Sequence, residues 1–243
     1  LINQKMDKAI IIGVGPDQGL GSQICQGFAK EGLHIFIASR NETNIKNLAS
    51  KIERDGGKAS AIKTDATDEK QVTKLFDEVG EGLKLAIYNP GNNTPGKIID
   101  MKADYFSNSW KICCYGGFLF GREAIRRFVP NGVGTLLYTG ASASLRGKAN
   151  FGAFNSSKAA LRVLAQAMSK EYGPEGVHVG HIIIDGAIAG EKFINNRPEI
   201  AKRLGEEGMV NLEGIVDGYV YMYNQPSNAW SFELDLRTSK ENW

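Results

Sequence analysis

The sequence predicts an α/β fold in a single domain over residues 1–243, with a parallel sheet between layers of helices. Short apolar runs recur along the chain, and several are apolar at every position, as in strands buried on both faces. Stretches with helical periodicity separate these runs, and such strand–helix alternation is typical of a parallel sheet. No linker, internal repeat or low-complexity segment divides the chain.

The apolar runs give the predicted strands in chain order. They are AIIIGVG (9–15), HIFIAS (34–39), ASAIKT (59–64), LKLAIYN (83–89), GTLLYTG (134–140), VHVGHIIID (177–185) and WSFELDL (230–236). The first helix is predicted from an apolar stripe that ends before Gly32, and a later one from a similar stripe. The stripe residues are Leu20, Ile24, Cys25, Phe28 and Ala29 in the first helix, and Leu161, Leu164, Ala165 and Met168 in the later one.

Two segments are predicted to differ from this pattern. Residues 188–212 are polar and charged, which favours helices or a mobile loop over the strand ends, the kind of segment that forms active-site lids. Residues 1–5 precede Met6 and are predicted to be flexible or to lie upstream of the domain.

Composition excludes several classes of partner. Lys and Arg number 29 against 27 Asp and Glu, so neither a nucleic acid nor a membrane surface is expected to bind. No apolar run approaches the roughly 20 residues of a membrane span, and the N-terminus lacks a signal core.

Cysteine and histidine usage points to a reducing, cytoplasmic location without a metal site. The cysteines, Cys25, Cys113 and Cys114, do not form a disulfide framework. The adjacent pair is predicted to be buried in a helix. His34, His178 and His181 are predicted to be strand-end residues, and no Cys/His cluster has the spacing of metal ligands.

A glycine-rich turn follows the first strand, in the sequence GVGPDQGLGSQI (13–24). Gly15, Gly19 and Gly21 lie between this strand and an amphipathic helix. A dinucleotide pyrophosphate needs backbone without Cβ atoms and free N–H groups at a helix N-terminus, so the turn predicts a nicotinamide dinucleotide site. A plain tight turn is the alternative.

The residues after the next two strands bear on the choice of cofactor. Ser39 and Arg40 stand where an acidic residue would bind a ribose 2′-hydroxyl. A guanidinium suits a 2′-phosphate, which favours NADP(H) over NAD(H); a solvated strand-end arginine is the other interpretation. Asp65 either reaches the adenine or caps the next helix.

With these motifs, nearly the whole chain resembles the short-chain dehydrogenase/reductase family. The family's glycine motif is matched apart from Val14, which replaces a threonine, and its Asn-Asn-Ala-Gly segment is matched loosely by Tyr88–Gly91. The resemblance implies a single Rossmann-type domain, a doubly wound seven-stranded parallel sheet with helices on both faces, and a bound nicotinamide cofactor. It implies cofactor contacts at Gly15, Gln18, Gly19, Leu20, Gly21, Ser39, Arg40, Asp65, Ala66, Asn89, Pro90, Gly91, Lys158 and Gly186.

The family's catalytic positions are largely substituted here. In NFGAFNSSKAAL (150–161) the lysine of the family's Tyr-x-x-x-Lys motif matches Lys158, but Phe154 occupies the tyrosine position. Alignment places Ala141 at the catalytic serine and Cys113 at the relay asparagine. Asp185-Gly186 replaces a Pro-Gly, and Gly190 replaces a threonine.

These substitutions remove the proton relay that the resemblance implies. The family tyrosine transfers a proton while hydride moves, with its pKa lowered by the lysine. Phe154 cannot exchange a proton, and Ala141 cannot hold the substrate oxygen. A shift of one residue or more would offer Ser142 or Ser144, and Tyr115 and Tyr138 lie nearby in sequence. None restores the tyrosine of the motif.

Lys158 is predicted to retain its second role, binding the nicotinamide ribose hydroxyls; a side chain that reaches solvent is the alternative. The small residues around it are predicted to allow close helix packing between subunits of a homodimer or homotetramer. They are Ala153, Ser156, Ser157, Ala159 and Ala160.

Two functions follow. The first is an NAD(P)-dependent oxidoreductase with a non-standard site, which transfers hydride to or from a small carbonyl or activated alkene. The second is a catalytically silent NADP-binding protein that acts as a sensor or scaffold. Because function resides in the site and not in the fold, the sequence leaves both open.

Overall fold

The computed structural model describes residues 6–241 and contains a seven-stranded parallel sheet in the order β3-β2-β1-β4-β5-β6-β7. The strands are β1 (Lys8–Ile12), β2 (His34–Ser39), β3 (Lys58–Lys63), β4 (Leu83–Tyr88), β5 (Gly134–Thr139), β6 (Val177–Asp185) and β7 (Glu233–Arg237). The prediction of a seven-stranded parallel sheet is confirmed. The prediction for residues 1–5 lies outside the described residues.

Helices cover both faces of the sheet. They are α1 (Leu20–Lys30), α2 (Glu42–Arg54), α3 (Glu69–Val79), α4 (Ala103–Trp110), α5 (Gly116–Phe128), α6 (Gly152–Tyr172), α7 (Glu191–Asn196), α8 (Pro198–Leu204) and α9 (Leu212–Tyr223). A π-helical turn, Lys111–Tyr115, joins α4 to α5.

The two faces explain why the strands are apolar throughout. In β1, Ile10 and Ile12 pack into one core layer with α3, α5 and α6, whereas Ala9 and Ile11 pack into the other with α1, α2 and α9. Successive side chains of a strand point to opposite faces. A strand between two helical layers therefore needs apolar side chains at consecutive positions. For this reason the continuous apolar runs of the sequence predicted the strands.

The strand order reverses between β1 and β4. The chain proceeds outward from β1 to β3 and then returns to place β4 on the other side of β1. In open α/β sheets the ligand crevice lies at such a switch point, at the carboxyl ends of the strands. The glycine-rich turn after β1 and the segment after β4 both lie at this crevice.

Three predictions need correction or refinement. His181 lies in the middle of β6 and is fully buried, so its assignment as a strand-end residue was wrong. The last strand begins at Glu233 and not at residue 230. Residues 188–212 contain α7 and α8, and their base is closed by a bridge between Ile188 and Val210.

Candidate functional site

The glycine-rich turn leaves an open N-terminus on α1. The N-cap of this helix, Gly19, makes no side-chain cap, and the first turn has no acidic residue. A Cβ atom at Gly19 would lie 2.9 Å from the Pro16 carbonyl oxygen, whereas one at Gly15 would meet nothing within 4 Å. The turn therefore packs tightly on itself and still leaves free N–H groups beside an open surface, as an anionic ligand requires.

Asn89 and Pro90 hold the turn against the end of β4. The Asn89 amide donates to the Gly13 carbonyl at 2.9 Å, and its own oxygen accepts the Thr139 hydroxyl at 2.9 Å. Gly13 has a φ of +89°, and a Cβ there would lie 2.5 Å from the Pro90 nitrogen. Glycine is thus required at position 13, and Asn89 joins the ends of β1, β4 and β5.

Lys158 lies in α6 and is only 3% exposed. Its ammonium donates to the Thr139 carbonyl at 2.7 Å and more weakly to the Pro90 carbonyl at 3.5 Å. Desolvation lowers the pKa of Lys158 below its ordinary value, and the neighbouring Cys113 partly opposes this effect. The alternative of a side chain that reaches solvent is therefore wrong.

Phe154 lies one helical turn before Lys158 in α6, and its ring is close to the Lys158 ammonium. The ammonium lies 6.0 Å from the centre of the Phe154 ring. A Cβ at Gly91 would lie 3.6 Å from the ammonium and 3.9 Å from the ring, so Gly91 faces both. The structure thus brings Phe154, Lys158 and Gly91 together, with no phenol at the motif position.

Cys113 lies in one segment that packs against α6, and Ala141 directly precedes another. Cys113 is buried in the π-helical turn, with its sulfur 4.0 Å from the Asn92 side-chain oxygen. The same turn exposes the Ile112 carbonyl, which accepts the Tyr88 hydroxyl at 2.5 Å. Ala141 is separated from β5 by Gly140 and directly precedes a 3₁₀ turn, Ser142–Ser144. The predicted helical burial of Cys113 and Cys114 is confirmed, with the difference that the helix is of the π type.

The other candidate proton donors are placed differently. Tyr138 is fully buried and donates to the Gly117 carbonyl at 3.0 Å, and burial raises its pKa above the ordinary value. It therefore cannot replace the missing phenol. The Tyr115 ring stacks on Trp110. Ser144 is buried, and its hydroxyl oxygen accepts the backbone N–H of Ala141. Ser142 remains half-exposed at the start of its turn.

The predicted adenosine contacts follow β2 and β3. Arg40 is exposed beside the half-buried Ser39, and no hydrogen bond or ion pair joins it to another described residue. Asp65 accepts hydrogen bonds from the backbone and the hydroxyl of Thr67, at 2.9 and 2.8 Å. The N-cap of α3 is Asp68, so the alternative that Asp65 caps this helix was wrong. The carbonyl of the buried Ala66 lies close to Gly116.

The segment after β6 reaches the glycine-rich turn. The backbone N–H of Glu191 donates to the Gln18 carbonyl at 3.0 Å, and a Cβ at Gly190 would lie 3.2 Å from the same oxygen. Gly186 has a φ of +145° and packs near Val210 at the base of this segment. The start of α7 is therefore docked on the predicted phosphate-binding turn, with the half-buried Leu20 of α1 nearby in sequence.

Several residues that support the site belong to no sequence motif. Thr139 supplies the carbonyl for Lys158, and its hydroxyl also lies 2.5 Å from the Tyr219 hydroxyl of α9. His181, Ser144 and Glu233 form a further hydrogen-bonded group behind Ala141. A polar residue within a buried strand was the sequence signal that could have indicated them, because a buried polar side chain needs a hydrogen-bond partner.

The residues present fit a nicotinamide dinucleotide. The uncapped α1 N-terminus and the space beside Gly15 suit a pyrophosphate, and the ammonium of Lys158 suits ribose hydroxyls. The described residues hold no cluster of His, Cys, Asp or Glu that could bind a metal ion. None of the described helices is long and apolar enough to cross a membrane.

Comparisons with known sequences identify the family of the chain. The family model for short chain dehydrogenases matches residues 8–195. An uncharacterised oxidoreductase of Staphylococcus aureus is 23% identical over 94% of this chain and 96% of its own length. Sorbitol-6-phosphate 2-dehydrogenase of Escherichia coli is 25% identical over 81% of this chain and 78% of its own. An uncharacterised oxidoreductase of Bacillus subtilis is 27% identical over 76% of this chain, which spans only 28% of that relative's length.

Solved structures share the fold over almost the whole chain. A short-chain dehydrogenase of Rhodopseudomonas palustris is 32% identical, with a TM-score of 0.79 over 94% of this chain and 98% of that one. A 7α-hydroxysteroid dehydrogenase complexed with NADH superposes with a TM-score of 0.86 at 23% identity, over 96% and 93% of the two chains. An alcohol dehydrogenase of Thermococcus sibiricus complexed with 5-hydroxy-NADP reaches 0.84 at 17% identity, over 98% and 99%. By its sheet, its glycine-rich turn and the family match over residues 8–195, the chain belongs to the short-chain dehydrogenase family.

Proposed function

We propose that the protein is an NADP(H)-preferring oxidoreductase that transfers hydride to or from a small carbonyl or activated alkene without the family's tyrosine relay. The observation that carries this proposal is Lys158. It is buried, held by two carbonyls and faces Gly91 at the sheet's switch point. A buried ammonium is expensive unless it is used or well paired, and its position suits a cofactor ribose.

Each part of the crevice has a role in holding the cofactor. The α1 N-terminus would bind the pyrophosphate, the exposed Arg40 would pair with a 2′-phosphate, and Lys158 would bind the nicotinamide ribose. Asn89 keeps the turn after β1 in place for this purpose. When bound, a reduced nicotinamide supplies a hydride, and an oxidised one accepts it.

The residues at positions 154 and 141 limit the substrates. Neither Phe154 nor Ala141 carries a hydroxyl, so the proton that accompanies hydride transfer has to come from water, from the substrate or from another group. An activated alkene, or a carbonyl whose oxygen is already hydrogen-bonded within the substrate, meets this requirement better than a simple ketone. The half-exposed Ser142 is the nearest hydroxyl in sequence that could orient such a substrate.

A silent cofactor-binding protein is the second candidate function. It is favoured by the substitution of the tyrosine, serine and asparagine positions together, which is what loss of proton transfer would produce. In this case the crevice would bind NADP(H) as a sensor or scaffold. A panel of carbonyl and enoyl substrates with NADPH separates the two functions, because only the first predicts turnover.

Cofactor binding tests what the two candidates share. Calorimetric titration should show NADPH binding more tightly than NADH, and Arg40→Ala should narrow this difference. Lys170→Ala removes the same charge from an exposed site at the far end of α6 and should leave the difference intact. Equal affinity of the wild type for the two cofactors would contradict the role of Arg40, and absence of binding would contradict the site.

We also propose a small-molecule substrate, a homodimer or homotetramer, and a cytoplasmic location. The free, buried thiols of Cys25, Cys113 and Cys114 support a reducing compartment.

A further inference from the structure

A chain of hydrogen bonds runs behind Ala141 from the buried Ser144 to the protein surface. The Ser144 hydroxyl lies 3.3 Å from Nε2 of His181, and Nδ1 of His181 lies 3.0 Å from Oε2 of Glu233. Arg162 closes the chain by donating two hydrogen bonds to Glu233, at 2.6 and 2.9 Å. Four residues from α6, β6, β7 and the turn after β5 are thus connected.

The pattern of donors assigns the tautomer of His181. The backbone N–H of Ala141 donates to the Ser144 oxygen at 3.2 Å, so the Ser144 hydroxyl is free to donate to Nε2. Nδ1 then carries the proton and donates to Glu233. Desolvation lowers the pKa of His181 to about 4, and Lys158 is among the cations that add to this effect. His181 is therefore neutral near pH 7, which avoids a second buried cation near Lys158.

The order of atoms is that of a Ser–His–acid triad, but Ser144 cannot act as a nucleophile in this arrangement. Its side chain is buried, and its oxygen already accepts the Ala141 N–H. A hydrolytic serine has to meet its substrate beside free oxyanion donors. This chain of hydrogen bonds therefore holds the protein backbone in place and does not react with a substrate.

The backbone that it holds is the turn from Thr139 to Ser144. A Cβ at Gly140 would lie 2.4 Å from both Cε1 and Nε2 of His181, so this glycine rests directly on the ring. On one side of Gly140, the Thr139 carbonyl accepts the Lys158 ammonium. On the other side of Gly140, the backbone N–H of Ala141 donates to the Ser144 hydroxyl. The imidazole therefore supports the segment that orients Lys158.

We propose that His181 is a positioning residue, which fixes the 139–144 turn through Ser144 and Gly140 and thereby fixes the carbonyl that holds Lys158. Its importance for the reaction rests on the proposed function. Its importance for the turn does not. Glu233 and Arg162 keep the imidazole in the tautomer that accepts from Ser144.

The first test uses the protein without cofactor. Amide hydrogen exchange by NMR should show faster exchange of the Ala141 N–H in Ser144→Ala and in His181→Phe, by about tenfold, the effect of one ordinary hydrogen bond. His178→Phe is the matched control, because His178 lies on the same strand and bonds instead to the Ser231 carbonyl. Unchanged exchange in His181→Phe, or an equal effect in the control, overturns the proposal. If His181→Phe does not fold, Glu233→Ala takes its place, because it removes the group that fixes the imidazole and leaves the Ser144 acceptor present.

The second test measures NADPH affinity by calorimetry at a temperature where all variants are folded. Ser144→Ala and His181→Phe should each raise Kd by about three- to tenfold, and the double variant should lose little more, because the two residues act through one turn. Faster exchange with unchanged Kd would show that the turn does not position Lys158 and would overturn the proposal. If the wild type binds no cofactor, the proposed function fails, while the exchange experiment still decides whether His181 holds the turn.

Discussion

In the proposed function, Phe154 limits the reactions of the site, because its ring lies 6.0 Å from the ammonium of Lys158 and carries no hydroxyl. Restoring a phenol alone should help little, since no hydroxyl at position 141 would hold the substrate oxygen. We expect the double variant Phe154→Tyr with Ala141→Ser to gain more in reaction rate than the two single variants together. The gain should reach at most about 10²–10⁴-fold, the contribution of a positioned acid. Single-turnover NADPH oxidation with an activated ketone measures this.

The wild type and both single variants are the controls for this experiment. A wild type that is already fast, with no change in Phe154→Tyr, would show that another residue supplies the proton. A folded double variant that binds NADPH and substrate without gaining rate would instead contradict the placement of Ala141 or of Lys158.

Lys158 is expected to serve binding at the expense of stability. Burial lowers its pKa in the folded state, so the unfolded state binds the proton more tightly, and stability should rise as pH increases through the folded pKa toward about 10.5. Lys158→Met should therefore leave the unfolding free energy at pH 7 unchanged or raised, while NADPH affinity falls. Denaturant unfolding and calorimetry measure the two effects, and a loss above about 2 kcal/mol would show that the two carbonyl contacts dominate.

At the scale of an element, α5 depends on glycines that face the sheet. A Cβ at Gly121 would lie within bonding distance of the Tyr138 hydroxyl, and one at Gly117 would lie 2.5 Å from Leu161. We expect Gly121→Ala to destabilise the protein by about 1–3 kcal/mol through overpacking. Tyr138→Phe removes the clashing oxygen, so the double variant should recover part of this loss in denaturant unfolding.

Gly173 provides the control for Gly121. It ends α6 at a φ of −55° with no atom within 4 Å of the Cβ position, so Gly173→Ala should be neutral or slightly stabilising. If both alanine variants lose the same stability, helix packing against Tyr138 is not the cause.

Sequence patterns identified the elements better than the contacts between them. Apolar runs revealed strands such as β1 and β6 because a sheet covered on both faces requires them. The same rule placed residues 177–185 in one strand but could not identify the partner of His181, since Glu233 lies 52 residues later. In the site, local motifs predicted the glycine-rich turn and Lys158, whereas Thr139 and Tyr219 meet only through the tertiary fold.

For the whole molecule, histidine burial predicts sensitivity to mild acid. Desolvation lowers the pKa of His181 and of His34 to about 4 each, with Lys58 and Lys8 adding to the effect at His34, and it also lowers the pKa of His178. The unfolded chain binds these protons near pH 6.5, so the contribution of the histidines to stability should be complete above that pH and be lost as pH decreases toward 4. His181 alone should account for about 2 kcal/mol between pH 7 and pH 5.

Urea unfolding at pH 7, 6 and 5 measures this loss. The window lies above the ordinary pKa of carboxylates, which limits their contribution. His181→Phe, although less stable throughout, should show a shallower dependence on pH. A flat profile in the wild type would contradict the buried, neutral state of His181.

The outer surface of α4, α5 and α6 favours an even-numbered oligomer. Phe106, Trp110, Phe118 and Val163 are exposed there, by 42%, 43%, 36% and 61%. Of the small residues predicted at the interface, Ala153 and Ser157 are instead buried within the chain, so the apolar residues carry the expectation. Sedimentation equilibrium at micromolar concentration should show a dimer or tetramer, and Trp110→Glu with Val163→Arg should shift it toward monomer. Lys170→Glu, an exposed change at the far end of α6, should not.

The hydrogen bond between Tyr219 and Thr139 has a consequence for how the C-terminal part of this chain can vary. The family match ends at residue 195, yet Tyr219, beyond it, contacts Thr139, and Glu233 contacts His181, which lies behind the same turn. The C-terminal part of the chain is therefore not an exchangeable module that could vary freely with the substrate. We expect a change in α9 or β7 of this chain to be tolerated only if it keeps the Tyr219 hydroxyl and the Glu233 carboxylate in place, or replaces both together with the turn behind which they lie.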